Sequence, residues 1–469
     1  MKPNIEAAKE ALSHLDVVDK PKLIRTYSRD CFWYSPVLKA RMDELEADFI
    51  ICPRDESEVI EIMRTCYEHD VPVTTRGAGT GNYGQAMPMQ GGCVMHMRHM
   101  NLVKSVHPGR VIVEPGCVIK DLDAHCKEHS GQEVRMFSST WASATIGGFI
   151  AGGSGGVGSV TWGSLRDLGN ILRLRVVTME EEPRVLEFTG EELSRVSHAY
   201  GTNGIITELE LPLAPAYEWT DVLLSSRDFT AAAAFADELA NEDGILIKLA
   251  SVYEAPTAHA YFTRVAPYVE ASDHLVGLMV APHNMDSFLT FLARRPQLNM
   301  IYRSDDCDDW PKKPGPVFEF GWNHTTLRAI KVDPSITYLQ VRYGYPEHKE
   351  LVEQMRQAFP AGEVIQHLEV IRMEGKVAFA GLSLIKFTSD ERLDEIIAIH
   401  EAAGAMVFNP HRYTLEEGGR QHADDTQLSF KREADPKGLL NPGKMITWDR
   451  PDWDYSRMYD FNNDRREQA

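Results

Sequence analysis

The chain has 469 residues, 43% of them apolar and 25% charged, which is the balance of an ordinary globular protein too long for one hydrophobic core, so two or three subdomains are expected. A net charge of −20 excludes a nucleic acid or an anionic membrane as the favoured partner, because both carry the same sign. The seven cysteines, Cys31, Cys52, Cys66, Cys93, Cys117, Cys126 and Cys307, are odd in number and contain no CxxC pair, which points to reduced thiols in a cytoplasmic protein rather than a disulfide framework or metal cage.

Residues 1–16 alternate charge with small apolar residues, as an amphipathic helix does and a signal peptide does not. The aromatic stretch 31–37, CFWYSPV, follows, with Pro36 expected to stop any helix. Residues 47–52 read as a strand. Residues 56–69 carry Val59, Ile60, Ile62, Met63 and Cys66 at helical spacing, so a strand, helix, strand unit leads to Arg76. Beyond Arg76 lies a loop holding Gly77, Gly79, Gly81 and Gly84, and a strand over 93–97 follows it.

Three explanations compete for that loop. The spacing of Gly79, Gly81 and Gly84 matches a dinucleotide fingerprint, but that motif must open a helix, and Pro88, Gly91 and Gly92 come too soon. A nucleoside-triphosphatase loop needs Lys and then Ser or Thr after its last glycine, where this chain has Gln85 and Ala86. An anion-cradling loop between two strands survives, with a ligand-free hairpin as the bland alternative.

Short strands are expected over 104–107 and 111–114, and a helix over 119–129. Residues 136–165 lack charge but hold too many glycines and too few large aliphatic residues for a membrane span. Within residues 138–170 the glycines look too dense for a regular helix or strand, yet Ile146, Phe149, Ile150, Val157, Val160 and Trp162 are interleaved with them. A linker lacks such residues, whereas close backbone approach to a flat buried ligand explains both features. A hairpin over 172–178 and 184–188 and a strand over 205–211 follow, and Pro212 and Pro215 are expected to end the domain. Thereafter helices are predicted over 230–240, 285–293, 348–359 and 391–403, with strands over 244–249, 339–343 and 382–387, a separate α+β layer. The sequence FKREADPKGLLNPGKM from Phe430 reads as a helix end followed by two tight turns.

Taken together, Arg76-Gly-Ala-Gly-Thr-Gly, Thr145-Ile-Gly-Gly, Gly152-Gly-Ser-Gly-Gly, Trp162-Gly-Ser-Leu-Arg-Asp, Gly204-Ile-Ile-Thr and Asp435-Pro-Lys-Gly-Leu-Leu-Asn-Pro-Gly-Lys resemble the FAD-binding domain of the vanillyl-alcohol oxidase and p-cresol methylhydroxylase superfamily. Its glycolate-oxidase-subunit-D and D-lactate-dehydrogenase-like branch is the most similar. The resemblance implies an α+β fold: a PCMH-type FAD-binding domain of two subdomains over 1–217, and an α+β cap with an antiparallel sheet over 218–405. A segment over 406–448 returns to the first domain, and a polar tail covers 449–469.

The resemblance further implies that Arg76, Gly77, Ala78, Gly79, Thr80, Gly81, Asn82, Gly84 and Gln85 cradle a pyrophosphate. Thr145, Gly147, Gly148, Gly152, Gly155 and Gly158 would pass along the isoalloxazine and ribityl chain, and Gly204, Ile205 and Ile206 would lie by the adenine. Thr80 and the cysteine-free run between Cys126 and Cys307 leave neither family nucleophile in place, so the FAD is expected to be non-covalent, with His411 and His422 as the alternative attachment points.

The implied activity is oxidation of an alcohol or hydroxy acid by hydride transfer to FAD. A vanillyl-type phenolic alcohol oxidase and a flavin-binding subunit with little activity alone are the alternatives, and a homodimer or heteromeric dehydrogenase is the expected assembly. The electron acceptor is left open. The histidine-rich metal motifs of the hydroxy-acid enzymes are missing, which predicts no metal and turns attention to His411 as base and Tyr413 as hydrogen-bond partner. Arg342, with Tyr343, is a candidate carboxylate clamp. Trp322, Asn323, His324 and Arg372 are weaker candidates, and His283, His367 and Glu369 are unassigned.

Overall fold

A computed structural model describes residues 3–307, 313–420 and 424–453. His422 and most of the tail lie outside the described residues.

The first sheet has four strands in the order Val17–Val18, Phe49–Ile51, Cys93–His96, Val73–Arg76. Helix Glu56–Glu68 joins the second and fourth of these, its start fixed by Asp55, whose carboxylate accepts the Glu58 N–H at 3.0 Å. Its apolar stripe, Val59, Ile62, Met63 and Cys66, is buried against Phe49, Val73, Cys93 and Met95. Cys93–His96 inserts between the two strands and runs parallel to both, so the loop that follows Arg76 emerges from the end of a parallel pair. Pro36 begins a helix rather than stopping one. It is the first residue of Pro36–Met42, where its missing N–H costs nothing and Ser35 caps Leu38.

The second sheet contains Val103–His107, Arg110–Val113, Ile205–Pro215, Arg173–Val177 and Val185–Thr189, with Gln132–Val134 on the far end of the long central strand. That strand, expected over 205–211, continues through Pro212 and ends at Pro215. Pairing with Arg173–Val177 stops at Glu210 and pairing with Gln132–Val134 starts at Leu213, while Leu213 N–H points the other way, to Gly109. The ring nitrogen of Pro212 therefore falls in the gap between two partners, where no donor is needed.

The glycine tract is more regular than its composition suggested: Ile146–Gly152 is helical and Ser159–Trp162 forms one further turn. A Cβ at Gly147 would collide with the Pro115 ring and one at Gly156 with the Phe137 carbonyl, so these glycines let backbone pack on backbone.

Residues 220–408 supply an eight-stranded antiparallel sheet, ordered Leu298–Arg303, Thr220–Ser226, His274–Val280, Ile247–Tyr253, His367–Met373, Lys376–Gly381, Gln340–Tyr343, Met406–Phe408. Helices Phe229–Ala240, Met285–Leu292, His348–Ala358 and Asp390–Ala402 cover one face, joining Val222, Ala250, Val276 and Val341 in one core. Leu223, Leu249 and Met279 on the opposite face share a core with the second sheet. The strand expected over 244–249 is displaced to Ile247–Tyr253.

The chain then returns to its beginning. Leu440 pairs in parallel with Val73, and the N–H of Asn441 donates to the Val73 carbonyl at 2.8 Å. Helix Asp425–Ala434 leads into this turn.

Candidate active site

The loop after Arg76 is built before any ligand arrives. The Cys31 N–H donates to the Gly81 carbonyl at 2.7 Å, and the Asp30 carboxylate accepts the Ala86 N–H at 3.2 Å. Lys444 donates to the Gly84 carbonyl at 2.5 Å, and the Asn441 amide bridges the carbonyls of Gln85 and Tyr200 at 2.8 and 2.6 Å. Burial pushes the Asp30 carboxyl above the usual carboxylate range and the Lys444 ammonium below that of a surface lysine, each opposed by the charge of the other. Gly79 and Gly84 take φ of +69° and +71°, which L side chains rarely adopt.

The N–H groups of residues 78–82 donate to no acceptor among the described residues. Such a row of convergent donors is a place for an anion. Gly77, Ala78, Gly79, Thr80, Gly81, Asn82 and Gln85 all line one long cleft. Thr145, Gly147, Gly148, Gly152 and Gly155 line it as well, together with Gly204 and Ile206. Thr145 Oγ1 is buried without a partner among the described residues, and a Cβ at Gly77 would strike it.

Four of the residues assigned to the cofactor do not line the cleft. The Arg76 guanidinium lies beneath the loop, donating to the carbonyls of Arg29 at 2.5 Å and Ala78 at 3.1 Å, and so braces the loop from behind. Gly84 backs onto Met42 and Tyr413, and a Cβ at Gly158 would strike the Arg135 carbonyl. Ile205 points into the core of the first sheet.

The three residues put forward for catalysis are not among the cleft's lining either. His411 is buried, with Nε2 donating to the Tyr338 carbonyl at 3.0 Å and Nδ1 accepting from Ser35 Oγ at 2.7 Å. Both nitrogens are therefore occupied, and burial holds its pKa down to about 3. Tyr413 packs beside Phe32, Leu38, Met42 and Met87, with the Lys444 ammonium 4.9 Å from its ring centre. Arg342 sits in the strand two residues beyond Gln340, opposite Ala380 and Met406. Tyr343, paired with Arg342 in the expected clamp, faces Gln366 inside the cap; among the weaker candidates, Arg372 donates to the carbonyls of Ala240 and Gly375, and His324 pairs with Glu319 at 3.2 Å.

Trp322 and Asn323 do reach the cleft, with Gln340 and Phe408 beside them. The Tyr83 hydroxyl lies 2.9 Å from Gln340 Oε1 and 3.1 Å from the Phe408 carbonyl, tying the first loop to the edge of the large sheet. Asp30, Tyr34, Tyr83, His198 and Tyr200 also line the cleft and were not anticipated. Tyr200 lies four residues before the Gly204-Ile-Ile-Thr motif, which was the available signal. His198 donates through Nδ1 to the Gly153 carbonyl at 2.8 Å. Among the described residues there is no group of three or more His, Cys, Asp or Glu placed to hold a metal ion.

A long cleft with a row of free backbone donors at one end and glycine-lined walls suits a flavin dinucleotide, and its sequence agrees: residues 47–186 match the FAD binding domain family. The chain carries an FAD-binding domain of the PCMH type. It is 31% identical over 187 residues to glycolate oxidase subunit GlcD of Bacillus subtilis, a match covering 38% of this chain and 39% of that one. With the mitochondrial D-lactate dehydrogenase [cytochrome] of Arabidopsis thaliana the identity is 29% over 217 residues, covering 44% and 37%. The chain thus spans well under half the length of these relatives. The structure of an alkyldihydroxyacetonephosphate synthase superposes with a TM-score of 0.72 at 16% identity, over 94% of this chain and 86% of that one, so the fold is shared through the cap as well.

Proposed function

We propose that the chain is an FAD-dependent oxidoreductase that oxidises an alcohol or hydroxy acid, with residues 1–217 and 406–448 holding the cofactor and 218–405 the substrate. The observation that carries this is the single cleft in which the glycine loops of the first part meet Trp322, Asn323 and Gln340 of the large sheet. Bound FAD supplies the hydride acceptor. The chain's residues do the rest: residues 78–82 hold the pyrophosphate, Thr145 hydrogen-bonds the cofactor, and the 145–156 wall and the cap exclude water from between them. Attachment is non-covalent, because Thr80 occupies the loop position of the family's histidine and His411 is fully engaged inside the protein. Acid precipitation should leave the flavin in the supernatant.

The relatives' names favour a hydroxy acid. The lining favours the aromatic-alcohol reading: Tyr34, Tyr83, Phe149, Tyr200, Trp322 and Phe408 face the cleft, and no Lys or Arg lines it among the described residues to meet a carboxylate. GlcD is named as a subunit, and a subunit role here predicts bound flavin that no substrate reduces. One experiment separates the three: anaerobic bleaching of the flavin by D- and L-hydroxy acids or by phenolic alcohols, followed by air re-oxidation. Bleaching by neither class supports the subunit, and a chain that takes up no FAD defeats every version.

No helix among the described residues is long and apolar enough to cross a membrane. All seven cysteines are free, and a cytoplasmic location is part of the same proposal.

A further inference from the structure

Trp322 adopts φ of +50° and ψ of −140°, a backbone conformation that a bulky side chain avoids unless its surroundings impose it. The constraint is visible. Its N–H donates to Glu369 Oε1 at 2.6 Å, and Glu369 is fully buried in strand His367–Met373, accepting from Ser251 Oγ at 2.7 Å with His367 Nε2 at 2.8 Å. Gly321 makes the approach possible, since a Cβ there would lie 2.8 Å from the same carboxylate oxygen. The turn then enters helix Asn323–Val332 and leaves Trp322 and Asn323 at the cleft.

We propose that Glu369 is a positioning residue that holds Trp322 and Asn323 as the substrate-facing wall over the flavin, an inference that rests on the cleft holding FAD. The indole stands across from Gly155, where a Cβ would meet it at 3.4 Å, so it closes the cleft against the glycine wall assigned to the flavin. Gln340, the cleft's other contribution from residues 218–405, is already engaged by the Tyr83 hydroxyl. Trp322 Nε1 and Asn323 Oδ1 are shielded from solvent and satisfied by no described residue, as expected of groups whose partner arrives with a ligand.

The test uses the full chain loaded with FAD and measures acrylamide quenching of flavin fluorescence together with FAD affinity. Trp322→Ala should raise the quenching constant several-fold while FAD affinity stays close to that of the parent. Glu369→Ala should do the same without touching the cleft, and Glu369→Gln, whose amide oxygen still accepts the Trp322 N–H, should behave as the parent. Unchanged quenching in Trp322→Ala overturns the proposal, and that variant keeps the test decisive even where Glu369→Ala does not fold. A large loss of FAD affinity in Trp322→Ala also overturns it, because the indole then serves the cofactor. A parent chain that takes up no FAD fails before any variant is compared, and what falls then is the flavin reading.

Discussion

Lys444 Nζ reaches the Gly84 carbonyl across 2.5 Å, although 360 positions separate the two residues and the lysine is wholly buried. The end of the chain therefore clamps the loop near its beginning, and the loop's shape does not depend on its own sequence alone.

Replacing Lys444 by Met removes that clamp and leaves the buried Asp30 with Arg76 as its remaining neighbouring positive charge. A hydrogen bond to a charged group is worth about 1.5–3 kcal/mol, so FAD affinity should fall about tenfold or more, read by fluorescence titration. Unchanged affinity would show that the loop holds itself.

Gly77 packs on Thr145 at the cleft so closely that a methyl group on the first meets the hydroxyl of the second. Gly77→Ala should abolish FAD uptake while leaving the melting temperature within a few degrees of the parent, since the clash lies in the cleft rather than the core. Adding Thr145→Ala removes the oxygen and should restore part of the uptake. A double variant no better than the single one contradicts the steric explanation.

Lys248 and Glu133 form a buried ion pair at 2.5 Å that joins the large sheet to Gln132–Val134, and Trp219 Nε1 donates to the same carboxylate at 2.9 Å. Removing one partner of a buried pair costs about 3–5 kcal/mol, and Lys248→Met should sit at the low end because Lys127 also approaches Glu133, at 3.5 Å. Chemical denaturation measures this. Lys248→Met with Glu133→Gln should recover most of the loss, because the uncompensated charge is gone.

Burial depresses the pKa of His411 to about 3, of His96 to about 3 and of His274 to about 4. The folded values lie below the unfolded one, so the unfolded chain binds more protons and stability rises with pH. The contribution is complete above the ordinary histidine range near pH 6.5 and is lost as pH falls towards 3. For His411 alone the loss between about pH 7 and about pH 5 is roughly 2 kcal/mol. His411→Gln should flatten the pH dependence of the denaturation midpoint by that share, and activity at pH 7 should survive, which a catalytic base would not permit.

The first part of the fold was legible because its rules are local. Apolar residues spaced along 56–69 mark a helix, and glycines that must take positive φ mark the loop. Most of the large sheet was hidden: Thr220–Ser226, His274–Val280, Leu298–Arg303, His367–Met373, Lys376–Gly381 and Met406–Phe408 were not foreseen. His274–Val280 is buried on both faces, so it shows no alternation, and His367–Met373 carries His367 and Glu369 inward, which imitates an exposed stretch. His411 misled for a related reason. A histidine followed by Arg and Tyr looks chemical in sequence, and only the structure shows both its nitrogens already spent on Ser35 and Tyr338.

The parallel pairing of Leu440 with Val73 gives synthesis an order of events. A ribosome makes every glycine of the first loop long before it reaches Asn441 and Lys444, so the nascent chain carries an unfinished nucleotide pocket through most of its translation. Fragments ending before residue 440 should therefore fail to retain the flavin however well their own strands fold, and cofactor capture becomes a signal that synthesis has passed Lys444.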